Sequence, residues 1–240
     1  MDKKFDGFTL AESDNSTPMG RVSEGREGIK AFTLAEVLIT LGVIGVVAAM
    51  TLPSVIKHYQ QQATVSKIKK FYTTINQAIR QSEAENGSCS TWTRVSYSSN
   101  DSQKIFYDTY LSKYIKSTEI SLETIPFSKN NTIRTYIIKL PDGSGFGISD
   151  NDVHTSRLFY VYFYPNISKL QSTDFTKDRF YFELYNTNCT VKPYTLQWDG
   201  TSEQLKNNGS YGCNKTSSIA SYCTKLIENN GWQMPKDYPW

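Results

Sequence analysis

Glu36 is the one charged residue in a stretch of 21, Phe32–Leu52, that is otherwise uncharged. An acid in a membrane-length apolar segment costs about 2.5–3.5 kcal/mol near a bilayer centre and less near an end, so it calls for a partner. The other side chains with chemical capacity are few: His58 and His154, and Cys89, Cys189, Cys213 and Cys223. Their spacings form no zinc, haem or thiol-redox motif. The chain also has no nucleophile elbow, phosphate loop or dinucleotide fingerprint. Neither an enzyme activity, nor a cofactor, nor a metal site is expected. Asp150, Asn151, Asp152 and His154 carry oxygens that could hold a cation, but the run SDNDVHT reads as a plain turn.

The element that must carry Glu36 is a helix. At ~1.5 Å per residue, 21 residues span about 30 Å, the thickness of a bilayer core. The run is apolar all round, which a half-buried helix of a soluble domain is not. Beyond Pro53 the helical period continues with Val65, Ile68, Phe71, Tyr72, Ile75, Ala78 and Ile79 at spacings of three and four. Lys67, Lys69, Lys70 and Arg80 mostly occupy the other faces. One helix from Phe32 to about Glu85 is predicted, with Pro53 bending it without ending it. Arg21, Arg26 and Lys30 before the run are matched by Lys57, Lys67, Lys69 and Lys70 after it, so charge counting leaves the orientation open.

The remainder should fold. Aromatic residues make up 13% of the chain, with 16 Tyr and 12 Phe, enough for a core, and a net charge of +3 argues neither for nor against nucleic acid. ENGSCSTWTRVSYSSND reads as a polar loop. SQKIFYDTYLSKYIKS reads as a short amphipathic helix with Ile105, Phe106, Leu111, Tyr114 and Ile115 on its apolar side. TIRTYIIKL and FGISD flank a Pro-Asp-Gly turn and predict a hairpin. RLFYVYFY and DRFYFELY are aromatic, β-favouring runs. SSIASYCTKLIENNG reads as a helix closed by Asn and Gly, and the tail GWQMPKDYPW as irregular.

The segment Lys30–Pro53, KAFTLAEVLITLGVIGVVAAMTLP, resembles the N-terminal signature of type IV pilins and type II secretion pseudopilins. That family has a basic leader, a small residue, Phe-Thr-Leu-X-Glu and about twenty apolar residues. The resemblance implies cleavage between Ala31 and Phe32 by prepilin peptidase, N-methylation of Phe32, and a role for Glu36 in filament assembly. Pro53 falls where many pilin helices bend. Ala31 departs from the usual Gly, and the leader, residues 1–31, is long. The organisation implied is leader 1–31, transmembrane and filament-core helix 32–53, amphipathic helix 54–85 and globular head 86–240. The fold class expected is α+β and pilin-like, a long helix against a small antiparallel sheet.

The resemblance further implies a single-pass protein of the bacterial inner membrane, leader cytoplasmic and head periplasmic or extracellular. Its partners would be the peptidase and methyltransferase, the inner membrane and other pilin or pseudopilin subunits of a homo- or hetero-filament. With an exported head, oxidation is expected. Cys213 and Cys223 enclose a small loop, which leaves Cys89 for Cys189. This is one of three possible pairings, with free thiols as the alternative. The same five residues also occur upstream, at Phe8–Glu12, preceded by Gly7. Polar residues follow them, so cutting there would leave no free amine near Glu36, and the downstream copy is the functional one. The alternative role is a DNA-binding minor pilin of a competence system, in which exposed aromatics would stack on bases.

Overall fold

A computed structural model describes residues 32–96, 100–150 and 157–240. The chain divides into two compact units, Met1–Ala49 and Met50–Trp240. A 53-residue helix, α1 (Leu34–Asn86), begins in the first and continues into the second. Pro53 lies inside it, so the missing amide donor does not end the helix.

In the first unit every described residue of α1 is exposed. In the second, a stripe of Val65, Ile68, Phe71, Ile75, Ala78, Ile79 and Ser82 is buried. The spacing of three and four puts these residues on one face. That face meets a six-stranded antiparallel meander in the order β1-β2-β3-β4-β5-β6. The strands are β1 (Glu119–Pro126), β2 (Thr132–Lys139), β3 (Gly145–Asp150), β4 (Arg157–Tyr164), β5 (Phe180–Tyr185) and β6 (Thr190–Pro193). Phe71 stacks on Phe163 with centroids 4.4 Å apart and lies 5.2 Å from Phe146 and 5.7 Å from Phe182. One residue of α1 thus touches three central strands. The layout is α+β.

Alternation along β4 explains its aromatic composition. Phe159, Val161 and Phe163 share the face that Phe71 and Phe106 cover. Tyr160 and Tyr162 face the other way and meet Tyr194 and Tyr181. A strand buried on both faces needs no polar alternation. The second face is closed by α4 (Cys223–Asn229), whose Thr224 hydroxyl accepts the Tyr181 N–H at 3.0 Å.

The β2–β3 hairpin turns through Pro141–Gly143, with Gly143 at φ +75°. The Leu140 N–H donates to the Ser144 carbonyl at 2.8 Å. Space at Gly147 is tight: a Cβ there would lie 3.0 Å from Ile137 Cδ1 and 3.3 Å from the Tyr136 carbonyl.

Three expectations are corrected. The amphipathic segment is α2 (Asn100–Phe106) followed by a π-helical turn, Tyr107–Leu111, in which the Ser112 N–H reaches the Tyr107 carbonyl at 2.8 Å. The wider turn shifts the helical phase. Up to the start of that turn the buried side runs through Gln103, Phe106 and Tyr107, which leaves Ile105 59% exposed, and Tyr107 donates to the Ile115 carbonyl. Residues 217–222 are not helical. The Asn214 side chain accepts the N–H groups of Thr216 and Ser217, and Ala220 has φ +53°. Helix α4 begins only at Cys223. Its end is the expected Asn-Gly cap: the Trp232 N–H donates to Ile227 and that of Gly231 to Glu228. Finally, β1, β6 and a short helix α3 (Ser202–Asn207) were not anticipated.

Candidate functional site

The site begins where α1 begins. Thr33 immediately precedes the first helical residue, Leu34, and Glu36 is the third. The Thr33 N–H and its hydroxyl both donate to Glu36 Oε2 at 2.8 Å, and the Glu36 N–H donates back to Thr33 Oγ1 at 3.2 Å. This is a capping box. Two backbone donors left orphaned by the helix start are satisfied reciprocally, and the acid stands beside the positive end of the helix dipole. The carboxylate is thereby fixed in place rather than free to sweep. Sequence reasoning assigned no role to Thr33, although T-x-x-E before an apolar run is the signal for this arrangement.

Below the box, the helix presents its apolar surface on all sides. Phe32, Leu34, Leu38, Ile39 and Leu41 are 60–85% exposed, and no residue from Phe32 to Gln60 is buried. An 18-residue window of α1 has a mean hydropathy of 2.2 and is wholly unburied. By length and composition it can cross a membrane. The arrangement can do two things chemically. It can partition into hydrocarbon, and it can offer one carboxylate, from the helix start, to a cation that arrives in the same apolar medium. Ala31, the residue before the expected cut, and the copy at Phe8–Glu12 lie outside the described residues, as do Asn151, Asp152 and His154.

The structure joins the cysteines as Cys89–Cys189 and Cys213–Cys223. The first ties the end of α1 to the β5–β6 turn, and the second closes the loop before α4. Glu83 lies beside the first pair and accepts the Cys89 N–H at 3.2 Å. Both sulfurs are already bonded to each other, so this group offers no open ligand set.

The head contains one further electrostatic feature. Asp142, on the β2–β3 turn, accepts from Lys70 at 2.9 Å and from the Ser144 hydroxyl and N–H. Burial pushes its carboxyl up, but these donors outweigh burial and hold the pKa at about 2. Beside the pair, Lys67, Lys70, Phe71, Ile115 and Leu140 line a cavity of about 360 Å³. The tyrosine surplus is largely internal: Tyr107, Tyr162, Tyr164, Tyr181, Tyr194 and Tyr222 are all buried.

Residues 54–240 match the model of a family of unknown function, DUF6613. The chain belongs to that family. The match begins just after Pro53, so the family covers the second half of α1 and the head, while Phe32, Thr33 and Glu36 fall outside it. No curated protein and no solved structure matches the chain.

Proposed function

We propose that this chain is a prepilin-like structural subunit. It is cleaved between Ala31 and Phe32, N-methylated on Phe32 and assembled into a type IV pilus or a type II secretion pseudopilus. The observation that carries this reading is the fixed carboxylate of Glu36 at the head of a helix whose stretch to Leu52 is otherwise uncharged and exposed throughout. A subunit with such a helix needs an apolar environment at every stage, which is the bilayer before assembly and the helices of its neighbours afterwards. Cleavage before Phe32 would create an ammonium one residue from the capping box. A neighbour's ammonium brought to Glu36 in a helical bundle would offset the burial of both charges. In this reading the subunit spans the inner membrane once, with its leader in the cytoplasm and its head, stapled by two disulfides, in the oxidising compartment outside. It acts by polymerisation, with the chemistry done by the peptidase and methyltransferase. The α+β head with a long helix against a meander sheet is compatible with a pilin-like architecture. No observation favours the DNA-binding alternative, because most of the aromatic side chains that suggested it line the core.

The test is Glu36→Ala in cells that carry the assembly machinery. The variant should remain in the membrane fraction and be processed, yet be absent from sheared filaments. Wild-type yields of filament from Glu36→Ala would sink the assembly role of the acid.

A further inference from the structure

Immediately beyond the apolar stretch, the unit Met50–Trp240 has a rim that mixes lysines with tryptophans. Ile56 is the last large apolar residue of the exposed stretch, and Lys57 and Tyr59, which follow it, are exposed too. On one side of α1 a cavity of about 410 Å³ is bounded by His58, Gln62, Trp232 and Met234. On another, a cavity of about 390 Å³ is bounded by Tyr59, Lys67, Lys169, Lys177, Asp178 and Trp240. Trp232 and Trp240 are each only partly buried.

Charge on this rim is predominantly positive. Lys67 donates to the carbonyls of Pro165 and Asp142 and so keeps its charge uncompensated by those contacts. Lys177 pairs with Asp174 at 3.2 Å, and Asp178 accepts from Ser172. Lys57 and Lys169 have no ion pair among the described residues.

Distance brings the rim within reach of a membrane surface. Tyr59 to Lys67 lie about 5–17 Å along the helix from Ile56. The headgroup layer extends roughly 5–8 Å beyond the hydrocarbon, and the surface potential reaches a further Debye length, about 8–10 Å. Tryptophan and tyrosine concentrate at that depth because the ring is apolar and the N–H or O–H is wet. Lysines there are each worth about 1 kcal/mol against anionic lipid.

We infer that this rim docks on anionic phospholipid headgroups, with Trp232 and Trp240 at the interface and Lys57, Lys169 and Lys177 against the phosphates, holding the head on the membrane before assembly. The inference rests on the membrane reading of Phe32–Leu52.

The full chain, reconstituted into phosphatidylcholine vesicles with or without phosphatidylglycerol and containing a headgroup-nitroxide lipid, tests it by tryptophan quenching. The wild type should be quenched more strongly when phosphatidylglycerol is present. In a Trp198→Phe background, Trp232→Phe with Trp240→Phe should remove most of that quenching, since the remaining Trp92 is buried. Lys57→Glu with Lys169→Glu, both exposed and outside any ion pair among the described residues, should lower the docking equilibrium at least about fivefold. Quenching that is the same with and without phosphatidylglycerol, or unchanged in both double variants, overturns the docking. Alkaline carbonate separates the two readings. A chain that stays with the vesicles but shows no rim quenching refutes docking alone, whereas a chain released into the supernatant refutes the membrane reading beneath it.

Discussion

Thr33 and Glu36 satisfy one another across the first turn of α1, with the carboxylate accepting both the N–H and the hydroxyl of Thr33. The acid that an apolar stretch would otherwise leave without a partner is thus held locally within the chain. It remains able to accept a further donor, since these bonds use Oε2 alone. A carboxylate has lone-pair sites on both oxygens.

Replacing Thr33 by Val keeps the shape but removes both hydroxyl contacts. The first turn should lose about 1 kcal/mol, the usual worth of an N-cap. Hydrogen exchange of the amides of residues 34–37 in detergent micelles should then be faster by about fivefold. Thr33→Ser should exchange at close to the wild-type rate. If Val and Ser behave alike, the capping box is not what orders this turn.

The two disulfides differ in what they constrain. Cys89–Cys189 spans 100 residues and Cys213–Cys223 spans 10. On loop-closure entropy alone, removing the first should destabilise the head by about 4.7 kcal/mol and the second by about 2.7 kcal/mol. Urea denaturation of Cys89→Ser with Cys189→Ser, set against Cys213→Ser with Cys223→Ser, reads the difference. Equal midpoints would show that the long loop is already restricted in the unfolded chain.

Asp142 gives the head an acid limb. Its folded pKa of about 2 lies below its ordinary value of 3.8. The stabilisation it supplies is therefore fully present above roughly pH 4 and is lost as pH falls through about 2. Asp174 is lowered as well, since its bonds to Lys215, Thr176 and Lys177 outweigh burial, so it contributes in the same direction. Asp142→Asn should flatten the fall in denaturation midpoint between about pH 4 and pH 2 without abolishing it. An unchanged acid limb would place the effect elsewhere.

Much of this architecture could be read from residue order. The second half of α1 declared itself by the Val65–Ile79 spacing, the β2–β3 hairpin by Pro141–Gly143, and β4 and β5 by aromatic runs that only a doubly buried strand tolerates. β1 was missed because EISLETIP is an edge strand whose two glutamates break the apolar pattern. β6 and α3 were missed because four and six residues carry too little period. The face of α2 was misjudged at Ile105 because the buried side there runs through Gln103, Phe106 and Tyr107, two of them polar or amphipathic types that carry a weak apolar signal. Residues 217–222 were over-read as helix because their N–H groups are taken by partners outside the segment, Ser217 by the Asn214 side chain, Ile219 and Ala220 by the Ser210 carbonyl and Tyr222 by that of Tyr211. At the candidate site, Phe32 and Glu36 stood out by type and position. What Thr33 does was missed, although its spacing to Glu36 was in plain view. The rim around Trp232 and Trp240 had no linear signature at all, since it is assembled from segments more than 50 residues apart.

The most direct test of the account is the mass of the N-terminal peptide after co-expression with a prepilin peptidase and its methyltransferase. The account predicts a mature chain that starts at Phe32 and carries one added methyl group on its amine. A chain that starts at Phe8, or one that keeps residues 1–31 intact, would contradict it and leave α1 as a membrane anchor with no part in a filament.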